Sequence, residues 1–354
     1  MGRLRFMTTL MLLSYGISVK KSSQTIIIET KYDAEGNQSK QTQKIAVRNL
    51  TGVVCDSHVY MTNPARVLLL SHCVPIVLMD HHRVIGITHP FHSHGTVHTR
   101  REQFTAFSDK RGVMLAKGFV EGPLLTKANL LLSYAKNRKS TAPELCDHLQ
   151  RAAHDIRSIA GQISEIDGGL YELRSRLMGI EGQGTHIYYQ AICKILDPIF
   201  NFEGRKKHPP TDPINSALSY GYVILSSRSL IQTVATGLDP YGGYLHVDRS
   251  GRPSLAIDLA EEFRQPVVDR AVFDLAISGK FNLLDDFEVD RGNYLLTKSG
   301  KRKLFLKLDE RFATRLAFDD KHFRLDQIIL LQARKVIHFL LGKNSTYTPF
   351  HYSW

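Results

Sequence analysis

Residues 101–139 read REQFTAFSDKRGVMLAKGFVEGPLLTKANLLLSYAKNRK, and their apolar positions recur at helical rather than alternating spacing. The chain changes texture here, from about Thr99 onward. Before it, LMLLSYGISV (10–19), SQTIIIETKY (23–32), QKIAVRNLTGVVC (43–55), HVYMT (58–62) and PIVLMD (75–80) are short, β-branched and bounded by turn signals such as DAEGNQ (33–38), the pattern of strands. One helix is predicted among them, in TNPARVLLLSHC (62–73), with Asn63 as N-cap and Pro64 at the first helical position, where its missing amide hydrogen costs nothing. After 139 come a loop, KSTAP, and further helices at 144–163, 211–237 and 324–342, the last stopped by Gly342. Strands followed by helices imply an α+β chain: a β-rich domain over 1–98 joined to an all-helical one over 99–354. The tail KNSTYTPFHYSW (343–354) has neither periodicity, and is expected to be loosely ordered.

The 354 residues exceed one comfortable core. Lys and Arg number 46 against 34 Asp and Glu, a formal charge of +12, which attracts polyanions, nucleic acid first. Cys55, Cys73, Cys146 and Cys193 are scattered and form no CxxC pair, against a zinc ribbon and for reduced thiols. The opening MGRLRFMTTLMLLSYGIS superficially suits a secretory signal, but its apolar run is short and no clear cleavage site follows. No run approaches the roughly 18 apolar residues of a membrane span. A cytoplasmic protein is expected.

Three stretches carry candidate chemistry. In DHHRVIGITHPFHSHGTVHTRRE (80–102) stand His81, His82, His89, His92, His94 and His98; His92, His94 and His98 have ligand-like spacing, but no cysteine accompanies them. In LHVDRSGRPSLAIDLAEEFR (245–264), Gly251 and Pro253 mark a turn into a helix whose Leu255, Leu259 and Phe263 form an inward stripe. On that helix Asp258 and Glu261 lie about 60° apart, and Asp258 and Glu262 about 40°. Either pair suits one ion, and geometry does not choose between the glutamates. His246 can fold back toward the same helix, and one imidazole with carboxylates suits Mn²⁺ or Mg²⁺. In LMGIEGQGTHIYYQAI (177–192), Glu181 stands among Gly179, Gly182 and Gly184, small residues that admit a phosphate backbone.

LLSYGISV (12–19), REQF (101–104), LMGIEG (177–182), DPINSALSYGYVIL (212–225), GLDPYGGYLH (237–246), GRPSLAIDLAEEFR (251–264) and FLLGKNSTYTPF (339–350) follow one another in this order. Together the series resembles the integrase of CRISPR spacer acquisition, CRISPR-associated protein one, over nearly the whole chain. The resemblance implies the two-part fold read above, with dimerisation through the first domain and catalysis in the second. It implies a Mg²⁺ or Mn²⁺ ion held by Glu181 of the GIEG motif, His246 of the GLDP…LH motif and Glu261, the second acid of the DLxExF pattern, with Asp258 as an additional ligand or beside one. The residues before LLSYGISV, the turn DHHRV and the histidine cluster depart from the family's pattern.

The implied reaction is phosphoryl transfer, in which a DNA 3′-hydroxyl attacks a phosphodiester of the CRISPR repeat, with endonuclease and disintegration activities from the same site. It needs no protein nucleophile, and no Ser/His/Asp or Cys/His arrangement is recognisable in the sequence. Arg249 and Arg252, within the metal motif, are the expected phosphate contacts, with Arg205, Lys206 and Lys207 and the loop SGKRK (299–303) as broader candidates. Double-stranded and branched DNA, a second copy of the chain and CRISPR-associated protein two are the implied partners. Two alternatives in the same enzyme class are a stand-alone nuclease of branched repair intermediates and a casposase-type transposon integrase. A basic DNA-packaging protein is the non-enzymatic one.

Overall fold

The computed structural model describes residues 8–13, 15–32, 38–80, 83–91, 96–206 and 209–354. Strands come first: Thr8–Leu12 (β1), Ile17–Ser22 (β2), Thr25–Tyr32 (β3), Gln38–Ala46 (β4), Leu50–Asp56 (β5) and Tyr60–Met61 (β6), then helix Asn63–Ser71 (α1), Ile76–Asp80 (β7) and Arg83–Thr88 (β8). They form two four-stranded sheets, ordered β4-β3-β2-β6 and β1-β5-β7-β8. The signal-like apolar run of the N-terminus is β1, paired in parallel with β5. Alternation decides which side chains meet: Val19, Ile26, Ile28, Val53 and Cys55 turn into one core with Leu68 and Leu69 of α1. The intervening Val54 faces the other way, so β5 is buried on both faces, as a central parallel strand requires.

Helix α1 begins one residue earlier than expected. Thr62 is the cap and Asn63 already helical, because the amide and hydroxyl of Thr62 both donate to the Val19 carbonyl, at 3.0 and 3.2 Å, tying that residue to β2.

Helices Thr96–Thr105 (α2), Lys110–Lys136 (α3), Pro143–Gly161 (α4), Leu170–Cys193 (α5), Pro213–Ala235 (α6), Ser254–Glu261 (α7) and Arg270–Ile277 (α8) follow, with a π-helical segment over Arg264–Asp269. Helix α6 is the hub: its side chains are buried almost all round, the signature of a helix enclosed by others. On one side its Leu230, Ile231 and Val234 pack on Val54, Val77 and Met79 of the sheet, joining the two parts. Gln232 reinforces the joint by donating to Thr9 and Thr51, at 2.9 and 3.2 Å.

The remaining elements are Leu283–Asp286 (α9), Phe287–Asp290 (β9), Asn293–Leu296 (β10), Lys298–Ala313 (α10), Arg315–Phe318 (β11), Lys321–Arg324 (β12) and Leu325–Leu340 (α11). The expected order of strands then helices holds, but the second part is not all-helical: β9–β10 and β11–β12 are two-stranded hairpins. Turns with positive φ at Arg291, Gly292, Asp319 and Asp320 close them. Four-residue strands are too short to stand out against flanking helical periodicity. Gly342 adopts φ +70° just past α11, as expected of a helix stop.

The tail is seated, not loose. Tyr347, Phe350 and Tyr352 are buried. The Tyr352 amide donates to Thr126 Oγ1 of α3 at 3.1 Å, and Asn129 Nδ2 returns a 2.8 Å bond to the Tyr352 carbonyl.

Candidate active site

After α6 the chain runs without regular structure from Leu238 to the start of α7. Three buried groups shape this stretch. Gln103, from the REQF motif on α2, donates to the carbonyls of Asp239 and Gly242, at 2.9 and 3.1 Å, and accepts from the Asp239 amide at 2.8 Å. Gly243 must lack a side chain, since a Cβ there would come within 2.6 Å of Ser254 Cβ and 3.0 Å of Asp258 Oδ2.

The third group is Asp258, fully buried on α7. Its Oδ2 accepts from the amides of Tyr244 and Leu245, at 2.7 and 3.0 Å. Oδ1 accepts from the His246 amide at 3.0 Å and holds His246 Nδ1 at 2.7 Å. With two partners on each oxygen, the carboxylate has no free lone pair for an ion. Its chemistry is to fix the imidazole, with Nδ1 tied down and Nε2 left to face outward. His246 Nε2 lies 3.9 Å from Glu261 Oε1. Asp258 thus stands beside a candidate ligand instead of being one.

The two glutamates at the end of α7, Glu261 in its last turn and Glu262 at its cap, part company. Glu261 turns toward His246 and pairs with Arg264 at 2.7 Å. Glu262 is fully buried on the opposite flank and accepts from Tyr347 Oη at 2.6 Å and the Phe350 amide at 3.0 Å. Burial raises its carboxyl to about 8, against the opposing pull of those two donors. Glu262 therefore belongs to the tail.

Glu181 lies on α5, which runs unbroken through GIEG. A methyl added at Gly179 or Gly182 would meet nothing within 4 Å, whereas Gly184 lets α5 close on Leu124 of α3. The Glu181 carboxylate accepts from Thr185 Oγ1 at 2.8 Å and pairs with Lys127 Nζ at 3.5 Å, the latter from a side chain only 3% exposed. Burial works to raise the Glu181 carboxyl, but Lys127, Thr185 and the charge of Arg264 outweigh it and hold it below its usual range. Among the described residues no ion pair or hydrogen bond joins Glu181 to His246 or Glu261, and no three His, Cys, Asp or Glu side chains converge to ligating distance. Arg264 links the halves electrostatically, its charge acting on both Glu181 and Glu261. The guanidinium is stacked 4.7 Å from the Tyr222 ring, and Tyr222 is held by the buried Asp269, which accepts from its hydroxyl at 2.5 Å and from Tyr188 at 2.9 Å.

Sequence reading missed Lys127, Arg264 and Gln103. Arg264 carried a signal, three residues after Glu261 on a helix. Gln103 carried only its place in the REQF motif and Lys127 carried none, because nothing local marks a polar residue that will be buried by another element.

The candidate DNA contacts separate as well. Arg249 is exposed and Arg252 half-buried, facing each other as a β-bridge in the turn between His246 and α7. Arg205 spends its guanidinium inward on Asn215 and Ser219, at 2.8 and 3.0 Å, and Lys206 pairs with Glu203 at 2.9 Å. Lys207 lies outside the described residues. SGKRK is the first turn of α10, not a loop, and Lys303 is paired with buried Asp286 at 2.7 Å. Of the histidine cluster, His81, His82, His92 and His94 lie outside the described residues, and His89 Nδ1 is 2.7 Å from the Pro90 carbonyl. None of the four cysteines forms a disulfide, and among the described residues no helix is long and apolar enough to cross a membrane.

The chain joins a sheet-rich head to a helical body that sets a carboxylate-fixed histidine beside Glu261, and its fold is shared with known proteins. The family model for CRISPR associated protein Cas1 matches residues 10–310. A curated relative from Archaeoglobus fulgidus, named CRISPR-associated endonuclease Cas1 1, is 35% identical over 326 residues, covering 90% of this chain and 93% of its own. Among solved structures, a casposase bound to integration product superposes with a TM-score of 0.78 at 24% identity, over 98% of this chain and 95% of that one. A Cas6-RT-Cas1–Cas2 complex gives 0.74 at 23% identity, over 97% of this chain and 36% of that one. The chain belongs to the CRISPR-associated protein Cas1 family.

Proposed function

We propose that this chain is a metal-dependent DNA endonuclease and strand transferase that inserts new spacer DNA into a CRISPR array by attack of a 3′-hydroxyl on a repeat phosphodiester. The observation that carries the reading is the Asp258–His246–Glu261 arrangement, in a chain of this family. With Nδ1 held by a buried carboxylate, His246 keeps Nε2 available toward Glu261, the orientation that ligating histidines receive from a carboxylate behind them. The donor set is oxygen and imidazole without a thiol, which fits Mg²⁺ or Mn²⁺. His246 and Glu261 would hold the ion, and Glu181 would complete the set by exchanging Lys127 for it. When bound, the ion polarises the scissile phosphate and offsets charge on the attacking and leaving oxygens. Asp258 keeps the imidazole in its ligating tautomer, Lys127 balances the buried charge of Glu181, and Arg249 and Arg252 are placed to bind flanking phosphates.

Double-stranded and branched DNA, a second copy of this chain and CRISPR-associated protein two are the partners in this reading, with a cytoplasmic site of action. The relative's name supports action on nucleic acid, and the solved Cas1–Cas2 assembly, by its name, supports the second protein. The fold shared with a casposase favours one second reading, a transposon-borne integrase. CRISPR repeats beside the gene support the first reading, terminal inverted repeats the second.

The test mixes the protein with a short duplex bearing free 3′-hydroxyls and a supercoiled plasmid carrying a repeat, in Mn²⁺. Strand joining abolished by EDTA and by His246→Ala is the expected result. DNA binding without joining or nicking, unchanged in the variant, would leave a basic DNA-binding protein.

A further inference from the structure

We infer that Arg174 is a positioning residue that fixes the His246 loop to the helix bearing Glu181, so that two ligand-bearing elements hold one register. The inference rests on the metal-dependent reading above.

Arg174 precedes Glu181 by two helical turns on α5, on nearly the same face and about 10 Å along the axis. Its side chain is buried, 4% exposed, and reaches out of the helix to the loop between α6 and α7. Nε donates to the Tyr244 carbonyl at 2.7 Å and Nη2 to the Gly243 carbonyl at 2.6 Å. The guanidinium lies 5.4 Å from the Tyr171 ring and 5.9 Å from Phe107, which itself stacks on Tyr244 at 5.0 Å.

The geometry is a two-sided grip. Asp258 takes the amides of Tyr244 and Leu245, while Arg174 takes the carbonyls of Gly243 and Tyr244. The grip runs from Gly243 up to His246, whose own amide Asp258 also takes, so slack at the carbonyls of Gly243 and Tyr244 displaces the imidazole. Lys127 and Arg264 face carboxylates and offset charge. Arg174 faces two carbonyls of one short segment, where a planar fork does what a point charge cannot, because only the fork satisfies both acceptors in fixed directions. A Lys at 174 keeps the charge and loses one of the two bonds.

Wild type and Arg174→Lys are compared by Mn²⁺ titration read by electron paramagnetic resonance and by amide hydrogen exchange at residues 243–246. The expected result is faster exchange in the variant and Mn²⁺ binding weakened by about tenfold or more. Should Arg174→Lys fail to fold, guanidinium added to Arg174→Ala takes its place: recovered Mn²⁺ uptake supports the inference and no recovery overturns it. Wild-type Mn²⁺ affinity in Arg174→Lys, whatever its exchange, overturns the inference alone. No Mn²⁺ uptake by the wild type overturns the metal-dependent reading and the inference with it.

Discussion

Three acids in the five residues that end α7 and cap it, Asp258 to Glu262, meet three environments, and the difference is one of orientation, not of chemistry. Asp258 points under the His246 loop, Glu261 toward the imidazole, and Glu262 into the groove filled by the tail. Glu261→Gln should abolish strand joining and Glu262→Gln should leave most of it, which a plasmid-joining assay of the two variants checks. Asp258→Asn replaces two acceptor sites with an amide donor facing backbone N–H groups, so joining should fall about tenfold or more, measured as initial rate at saturating DNA. Glu262 also predicts a pH dependence. Its folded value of about 8 lies above the ordinary 4.5, so the folded state holds a proton that the unfolded chain releases. The stability tied to that proton is complete below pH 4.5 and is lost as pH rises through about 8. Melting temperature should decline across that window in the wild type and decline less in Glu262→Gln.

At the scale of elements, the tail and α3 form one unit. Tyr347, Phe350 and Tyr352 are spaced for neither a helix nor a strand, because an irregular segment wedged in a groove repeats nothing. Periodicity is blind to it. The complement was visible on α3 only as glycines: a Cβ at Gly122 would stand 2.6 Å from the Phe350 carbonyl oxygen, with Pro349 at 3.0 Å. Gly122→Ala should therefore destabilise the protein by about 1–3 kcal/mol through overpacking, read by denaturant unfolding. The loss should extend to activity, since the same tail backs α7 through Glu262. The two hairpins were illegible for the opposite reason, being too short for any pattern to develop.

Across the whole molecule, the excess of positive charge is the feature expected to govern binding of DNA. With a formal charge of +12, DNA affinity is expected to fall steeply with salt. Each true phosphate contact contributes about one unit of the logarithmic salt slope. Arg249→Ala and Arg252→Ala should each flatten that slope by about this amount and weaken binding to all sequences alike, as binding isotherms at several salt concentrations would show. Arg205→Ala should leave the slope unchanged, its guanidinium being committed to Asn215 and Ser219.

The sequence by itself determined the order of strands and helices and the inward stripe of α7, and marked His246, Asp258, Glu181 and the pair Glu261 and Glu262 as candidates; its resemblance to a known family singled out Glu261. Periodicity and motif order are local or linear, and a single chain displays them. Only the tertiary structure decided that Glu262 turns to the tail while Glu261 faces the histidine, that Asp258 is filled by three backbone amides and the imidazole, and that Lys127, Arg264 and Arg174 stand around the site. Those are choices of burial and partner made between elements distant in the chain, from Gln103 to Phe350. A carboxylate's role depends on which donors the fold delivers to its two oxygens, and no local pattern records that.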